Sequence, residues 1–443
     1  MYEMQTRRNP ERVKIIGGGL AGSEAAWQLL KRGYDVVMYE MRPVKTTGAH
    51  KTQRLAELVC SNSLKSVLSD TASGALKIEL KHLDSLILRS AEAASVPSGG
   101  ALAVDRERMS EEVEKALSSF PNFTLVREEV TDIDDGEITV VAAGPLVSDA
   151  LAEKISRLSG EEYLHFSDAV APIIAADSID YDKAYFASRY GKGGDDYLNS
   201  GMNKSEYLAF YDALINAESV TDKLLNAEFF EGCMPVEVMA KRGTDALRFG
   251  PLRPVGLDNP NGQKYYAVAQ LRKENLAGDA YNLVGFQTNL LFKEQKRVFG
   301  MLPGLENAEF LRYGVMHRNT YVNAPKVLNF DYSMKKHPNI YIAGQLSGVE
   351  GYVESAASGL MVGLNVARKI EGKEPIIPDE YTIIGSLTRY ITNPAVENLQ
   401  PMNANFGLLP PIEGVKDKKE RKKLYSARCE ESIKRFVEQL NER

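Results

Sequence analysis

Apolar and polar positions change period several times along this chain. Residues 12–16 (RVKII) and 35–39 (DVVMY) are apolar runs of strand length. Between them, GGGLAGSEAAWQLLKRG carries a glycine turn and then apolar residues at helical spacing. The pattern predicts strand, turn, helix and strand over residues 12–40. A helical stretch is expected near residues 55–68, and another helix over 75–94. Residues 95–117 read as loop, short strand and helix, with Asp105 as the candidate cap. Residues 123–130 read as a strand, and Asp135-Gly136 marks a turn before a buried strand ending in small residues at Gly144. Beyond about residue 166 the pattern becomes mixed strand and helix, with tyrosines at 181, 185, 190, 197, 207 and 211. The earlier style returns with NIYIAG at 339–344 and a glycine-rich turn feeding a helix of small residues. The expected architecture is α/β: a discontinuous Rossmann-like domain at residues 10–166 and 313–443, interrupted by an inserted α+β domain at 167–312.

The first turn carries chemistry. Gly17, Gly19 and Gly22 occupy the G-x-G-x-x-G positions. The first permits the tight turn, the second lets backbone approach a pyrophosphate, and the third lets helix pack on strand. The helix N-terminus offers N–H groups and a positive dipole end to phosphates. Glu40 closes the second strand, where a carboxylate can accept from a ribose hydroxyl. Strand, helix and acid all stand where a bound dinucleotide needs them. The strand ending at Gly344 and its glycine turn favour FAD, with helix N–H groups near residues 351–355 facing the flavin. No second G-x-G-x-x-G follows a strand, so a nicotinamide donor is expected to bind transiently. The expected cofactor set is Gly17, Gly18, Gly19, Leu20, Ala21, Gly22, Glu40, Gly344, Gln345, Gly348, Gly351, Tyr352 and Ser355. The domain is then of the glutathione-reductase-like FAD-binding type.

Composition narrows the partners. At 443 residues, 44% hydrophobic and 26% charged, the chain is of ordinary globular make-up. A net charge of −6 gives no global attraction to nucleic acid, so an RNA partner requires a local basic patch. Cys60, Cys233 and Cys429 stand far apart, which excludes a disulfide framework and a CxxC pair. No metal site is expected. The polar N-terminal stretch and the lack of an apolar run near about 20 residues point to a cytoplasmic protein without membrane contact. The basic run KDKKERKK at 416–423 is expected to be a solvated helix face.

GGGLAGSEAAWQLLKRG, ELVCSNSLKS, EGCMPVEVMA, AGQLSGVEGYVESAASG and PMNANFGLLPP, in this order, resemble the folate- and FAD-dependent tRNA (uracil-5-)-methyltransferases, the TrmFO family. The resemblance spans residues 13–411. It implies one-carbon transfer from methylenetetrahydrofolate to C5 of the T-loop uridine of tRNA. Reduced FAD would supply two electrons, and NADH or NADPH would reduce it. No obligate protein partner is evident. The family's two functional cysteines match Cys233, expected to attack uracil, and Cys60, expected to work near flavin and folate; an exchange of these roles stays open. A loop-to-helix transition at residues 61–63 and the nearby Lys65 are expected to favour the Cys60 thiolate. Cys429 matches no motif and is expected to be structural.

Further candidates are His50, Glu350, Glu354, Arg318, Asn319, Tyr321 and the NANFG loop at 403–407, whose aromatic could stack on a pterin or base. Lys241, Arg242, Arg248, Arg253, Arg272, Lys273, Lys293, Lys296 and Arg297, with neighbouring tyrosines, are the expected RNA surface. The alternatives are an FAD-dependent oxidoreductase acting on a small molecule, a related uridine-modifying tRNA flavoprotein, and a non-catalytic flavin-bound RNA-binding protein.

Overall fold

The computed structural model describes residues 12–220, 234–257, 259 and 261–441, without the side chains of residues 166–168 and 317–318. The first stretch contains β1 (Arg12–Ile16), α1 (Leu20–Leu30), β2 (Asp35–Tyr39), β3 (Ser63–Ser66), α2 (Ala72–His82), α3 (Leu86–Ala93), β4 (Ser95–Val96), β5 (Ala101–Val104), α4 (Arg106–Ser118), β6 (Phe123–Val126), β7 (Thr139–Val141) and α5 (Asp149–Ser159). The middle stretch contains β8 (Leu164–Ala169), β9 (Ile173–Ala175), β10 (Ala184–Phe186), β11 (Tyr197–Met202), α6 (Lys204–Ile215), α7 (Val236–Ala240), α8 (Ala246–Phe249), β12 (Ala267–Lys273), β13 (Ala280–Leu283), α9 (Phe292–Phe299) and β14 (Phe310–Arg312). The last contains β15 (Met316–Tyr321), α10 (Ala324–Val327), β16 (Ile340–Ile342), α11 (Tyr352–Ile370), α12 (Ile383–Thr392) and α13 (Lys418–Asn441).

A parallel sheet runs β16-β7-β1-β2-β6, and its members come from both ends of the chain. β1 sits at its centre, so Val13 and Ile15 are fully buried. Parallel strands buried on both faces require near-continuous apolar runs, which is the pattern of RVKII and DVVMY. A second sheet runs β10-β11-β12-β13-β9-β14 and has its own core around Leu198, Leu271 and Phe286. The chain passes between the sheets along β8 and β15, which pair antiparallel from Leu164 with Tyr321 to Ala169 with Met316.

Three local expectations need correction. Residues 55–68 form no helix; a loop leads into β3. Side chains from elsewhere take the carbonyls of this loop, so its backbone needs no helix to be satisfied. The single helix over 75–94 is two helices, because Asp84 adopts φ 55° and Ser85 caps α3 by accepting from Leu88 N–H at 3.2 Å. The strand at 123–130 ends at Val126, where its pairing with β2 stops. Asp105 caps α4, accepting from Arg108 N–H at 3.1 Å. The basic run enters α13 with Lys418, Lys419, Lys422 and Lys423 exposed. No described helix is long and apolar enough to cross a membrane.

Candidate active site

The first glycine turn opens a cleft at the carboxyl end of the parallel sheet. Gly17 has φ 105°, and a Cβ there would lie 2.4 Å from the Ala142 carbonyl oxygen. At Gly22 a Cβ would meet the Gly17 carbonyl oxygen at 2.0 Å, so α1 touches the turn itself. Gly19 is different: it caps α1, and a Cβ on it would meet nothing within 4 Å. Space is therefore left beside the first N–H groups of α1, which have no intrahelical partners. Gly18 N–H donates to Glu40 Oε2 at 3.0 Å, and Arg42 donates through its backbone N–H and Nε to Glu40 Oε1 at 3.0 and 2.9 Å. Burial works to raise the Glu40 carboxyl, but the bonds and charge of Arg42 outweigh it, and the group sits below the usual carboxylate range. Arg42 also donates to Glu57 at 2.7 Å, a link that the sequence pattern did not signal.

The second glycine turn closes the cleft. Gly344, at φ 75°, donates its N–H to Ser358 Oγ at 2.7 Å. Gly359 stands so close to α1 that a Cβ would lie 2.2 Å from the Ala21 carbonyl oxygen. The cleft holds about 1020 Å3, open to solvent. Of the expected cofactor residues it is lined by Gly17, Gly19, Leu20, Ala21, Glu40, Gly344, Gln345, Tyr352 and Ser355. Gly18, Gly22, Gly348 and Gly351 lie outside the lining and shape it instead. Gly351 caps α11 at φ 119°, and Gly348 turns at φ 96° against Leu399. Arg42, Glu57, Val59 and the turn at residues 143–148 line it too.

Cys60 follows Val59, which lines the cleft, and is not itself among the lining residues. The Tyr352 hydroxyl accepts from Cys60 N–H at 2.7 Å and Ser61 N–H at 3.2 Å. Arg106 donates to the carbonyls of Leu58 and Cys60, the latter at 3.1 Å. From the end of β14, Arg312 donates to the Val59 carbonyl at 2.7 Å. Arg272 donates to Asn62 Oδ1 at 2.8 Å and Ser61 Oγ at 2.9 Å, and Glu274 pairs with Arg106. Burial and the Arg106 charge pull the Arg312 guanidinium below its usual range, opposed by Tyr352, Cys60 and Glu274. Two expectations about Cys60 are corrected. The residues after it enter β3, so the expected loop-to-helix transition does not follow it. Lys65 is held by Glu354 at 3.0 Å, and the cations nearest the Cys60 backbone are arginines. The Cys60 sulfur lies 3.7 Å from the Ala169 carbonyl oxygen. Cys233 lies outside the described residues. Cys429 is buried in the core, where burial and Glu79 push its thiol up.

The remaining candidates divide. His50 lines the cleft, with Nδ1 at 2.6 Å from Thr47 Oγ1. Glu350 and Glu354 are buried, not solvated. Glu354 Oε1 accepts from Ala404 N–H at 3.0 Å. Phe406 of the NANFG loop stacks on Tyr425 at 5.2 Å, which commits its ring to packing. Tyr321 and Asn319 are buried, and the Tyr321 hydroxyl donates to the Leu399 carbonyl at 3.1 Å; the Arg318 side chain lies outside the described set. Arg272 is buried and leaves the expected RNA surface. Lys293 pairs with Glu218 at 2.7 Å, Arg297 with Glu294 at 2.5 Å and Arg248 with Asp245 at 2.6 Å. Lys241, Arg242, Arg253 and Lys296 are exposed and Lys273 half-buried. Tyr185 and Tyr207 are buried and cannot stack on RNA.

Residues 12–374 match the family model described as glucose inhibited division protein A. A curated relative from Natranaerobius thermophilus is 55% identical over 96% of this chain and 99% of its own length. Its name is methylenetetrahydrofolate–tRNA-(uracil-5-)-methyltransferase TrmFO. The chain belongs to the TrmFO family. A TrmFO from Halalkalibacterium halodurans is 54% identical over 97% of this chain and 99% of that relative. Among solved structures, Aquifex aeolicus GidA in its form II crystal matches with a TM-score of 0.71 at 16% identity, covering 98% of this chain and 74% of that one. That likeness speaks for the fold. The TrmFO relatives have the length of this chain, and the match runs through both sheets.

Proposed function

We propose that this protein transfers a one-carbon unit from methylenetetrahydrofolate to C5 of the T-loop uridine of tRNA, giving 5-methyluridine. The observation that carries this reading is identity of 54–55% along almost the whole chain to relatives of that name. FAD is the cofactor, and the cleft fits it. Gly19 leaves room at the α1 N-terminus for a pyrophosphate, Glu40 stands beside it, and Gly344, Gln345, Tyr352 and Ser355 line the far end. When bound and reduced by NADH or NADPH, the flavin supplies the two electrons that turn methylene into methyl.

The chain's own residues handle uracil and protons. C5 of uracil is a poor nucleophile. Addition of the Cys233 thiolate at C6 makes it an enolate carbon that can bond the one-carbon unit. A base then takes the C5 proton, and the C6–sulfur bond breaks to restore the ring. Cys60 is the group we assign beside flavin and folate. Its support is the clamp from Tyr352, Arg106 and Arg312, which fixes the backbone of residues 58–61 next to the cleft-lining Val59 and Tyr352. Residues 10–166 and 313–443 form the flavin domain of this proposal, residues 167–312 carry the RNA, and the protein works in the cytoplasm.

Purified protein mixed with tRNA transcript, NADPH and methylenetetrahydrofolate labelled in its methylene is expected to place label at uracil C5, independently of S-adenosylmethionine. Flavin that NADPH reduces without any label reaching RNA overturns this reading in favour of a small-molecule oxidoreductase.

A further inference from the structure

Away from the cleft, the end of α8 and a loop on the rim of the antiparallel sheet present exposed aromatic side chains. Phe249 is 81% exposed and Tyr190 58% exposed. A singly exposed apolar ring is common on a protein surface; these two stand on segments that are bonded to each other. The loops are joined: Tyr190 N–H donates to the Gly256 carbonyl at 2.7 Å, and Arg189 donates to the Arg253 carbonyl at 2.9 Å and to that of Val255. Tyr190 is held in the left-handed region at φ 58°, which non-glycine residues seldom adopt. Gly256 allows this, since a Cβ there would lie 2.6 Å from the Tyr190 ring. A depression of about 840 Å3, open to solvent, lies alongside, lined by Ser188, Tyr190, Gly191, Gly193, Gly194 and Gly256, with Asp195 also on its wall.

Charge selects the partner. Burial destabilises the Arg189 cation and Arg253 adds a like charge beside it, with no carboxylate among the groups acting on it. Arg253 and Lys192 are exposed and take part in no ion pair among the described residues. Lys293, Arg297 and Arg248 have each been neutralised by an acid. Exposed aromatic rings beside unneutralised cations suit unpaired RNA bases on a phosphate backbone, because every base has a face to stack and every linkage a negative charge.

We propose that the loops at 189–194 and 249–256 form the surface that receives unpaired bases of the tRNA substrate, with Phe249 and Tyr190 as stacking platforms and Arg253 and Lys192 against phosphates. This rests on the reading of the protein as a tRNA-modifying enzyme. The test is binding of fluorescent tRNA transcript across a salt series by wild type, Phe249→Ala, Tyr190→Ala and Arg253→Gln, all carrying flavin. Phe249→Ala is expected to weaken binding about tenfold with an unchanged salt slope. Arg253→Gln is expected to lower the slope of log K against log salt by about one phosphate contact. Flavin content and reduction by NADPH are expected to stay at wild-type values in all three. Wild-type affinity and slope in both Phe249→Ala and Arg253→Gln overturn the surface while leaving the enzyme reading intact. A wild-type protein that binds no tRNA overturns the enzyme reading, and the surface with it. Phe249 makes so little contact with the protein that its variant tests the surface even where the arginine variant fails to fold.

Discussion

At the scale of single residues, the two glycines at the start of the cleft have opposite reasons to be glycine. Gly17 is bound by the protein: its positive φ and the Ala142 carbonyl leave no room for a Cβ. A Cβ on Gly19 would meet nothing in the protein, and its φ of −76° suits any residue. The motif already gives the two different roles, and their surroundings differ in the same sense. Gly17→Ala is expected to lower the thermal midpoint and lose flavin together. Gly19→Val is expected to fold with nearly the wild-type midpoint while its flavin-to-protein absorbance ratio falls sharply. Equal flavin content in Gly19→Val and wild type would show that the empty volume is not a cofactor cradle. Arg106, Arg272 and Arg312 are the other lesson at this scale. In the sequence they are arginines among many, and Arg272 reads as a surface cation, yet it is buried and fastened to Ser61 and Asn62.

Among the elements, helix junctions hold charges that periodicity does not disclose. Glu24, inside α1, accepts from Ser85 Oγ at 2.7 Å and Ile87 N–H at 3.0 Å, and so ties α1 to the start of α3. Glu79 of α2 does the same for α12, accepting from Ile383 and Ile384 N–H at 2.6 and 2.9 Å. Burial outweighs these bonds and pushes the Glu79 carboxyl up to about 8. The folded value lies above the unfolded one, so between pH about 4.5 and about 8 the native state keeps a proton that the unfolded chain has released. The stability contributed by this group is complete below that window and lost as pH rises through it. The urea midpoint of wild type is therefore expected to fall from pH 5 to pH 8 more steeply than that of Glu79→Gln. Parallel pH profiles would mean that Glu79 is ionised in the native protein throughout.

For the whole molecule, the decisive feature is that one sheet holds a residue of the other unit's site. β14 belongs to the antiparallel sheet, yet Arg312 at its end holds the carbonyl of Val59, which lines the cleft of the parallel one and precedes Cys60. Arg272 and Glu274 reinforce the same seam. If Cys60 must be held in place for methyl transfer, Arg312→Met is expected to lower that rate at least tenfold at saturating substrates. Flavin reduction by NADPH is expected to persist. Arg312→Lys, which keeps one donor for the Val59 carbonyl, is expected to recover part of the rate. Methyl transfer and flavin reduction falling by the same factor would make Arg312 a general support of the fold instead of a positioning residue.

Much of this molecule is local in origin. Apolar runs flanking a glycine turn set β1, α1 and β2 because a buried parallel strand and a helix N-terminus need those residue types in that order. The Asp105 cap and the strand before Gly344 were readable for the same reason. Residues 55–62 have the apolar content of a helix, but their carbonyls are claimed by arginines distant in sequence, and no local pattern records that claim. The break at Asp84 is held from two sides: Ser85 caps α3 locally, and Trp27 Nε1 donates to the Asp84 carbonyl at 2.9 Å across the fold. The sequence by itself determined β1, α1, β2 and the strand before Gly344, since these depend on neighbours within a few residues. Only the tertiary structure decided which charges are buried, which are neutralised and which side chains meet at Cys60, because electrostatics and close packing are settled by proximity in space.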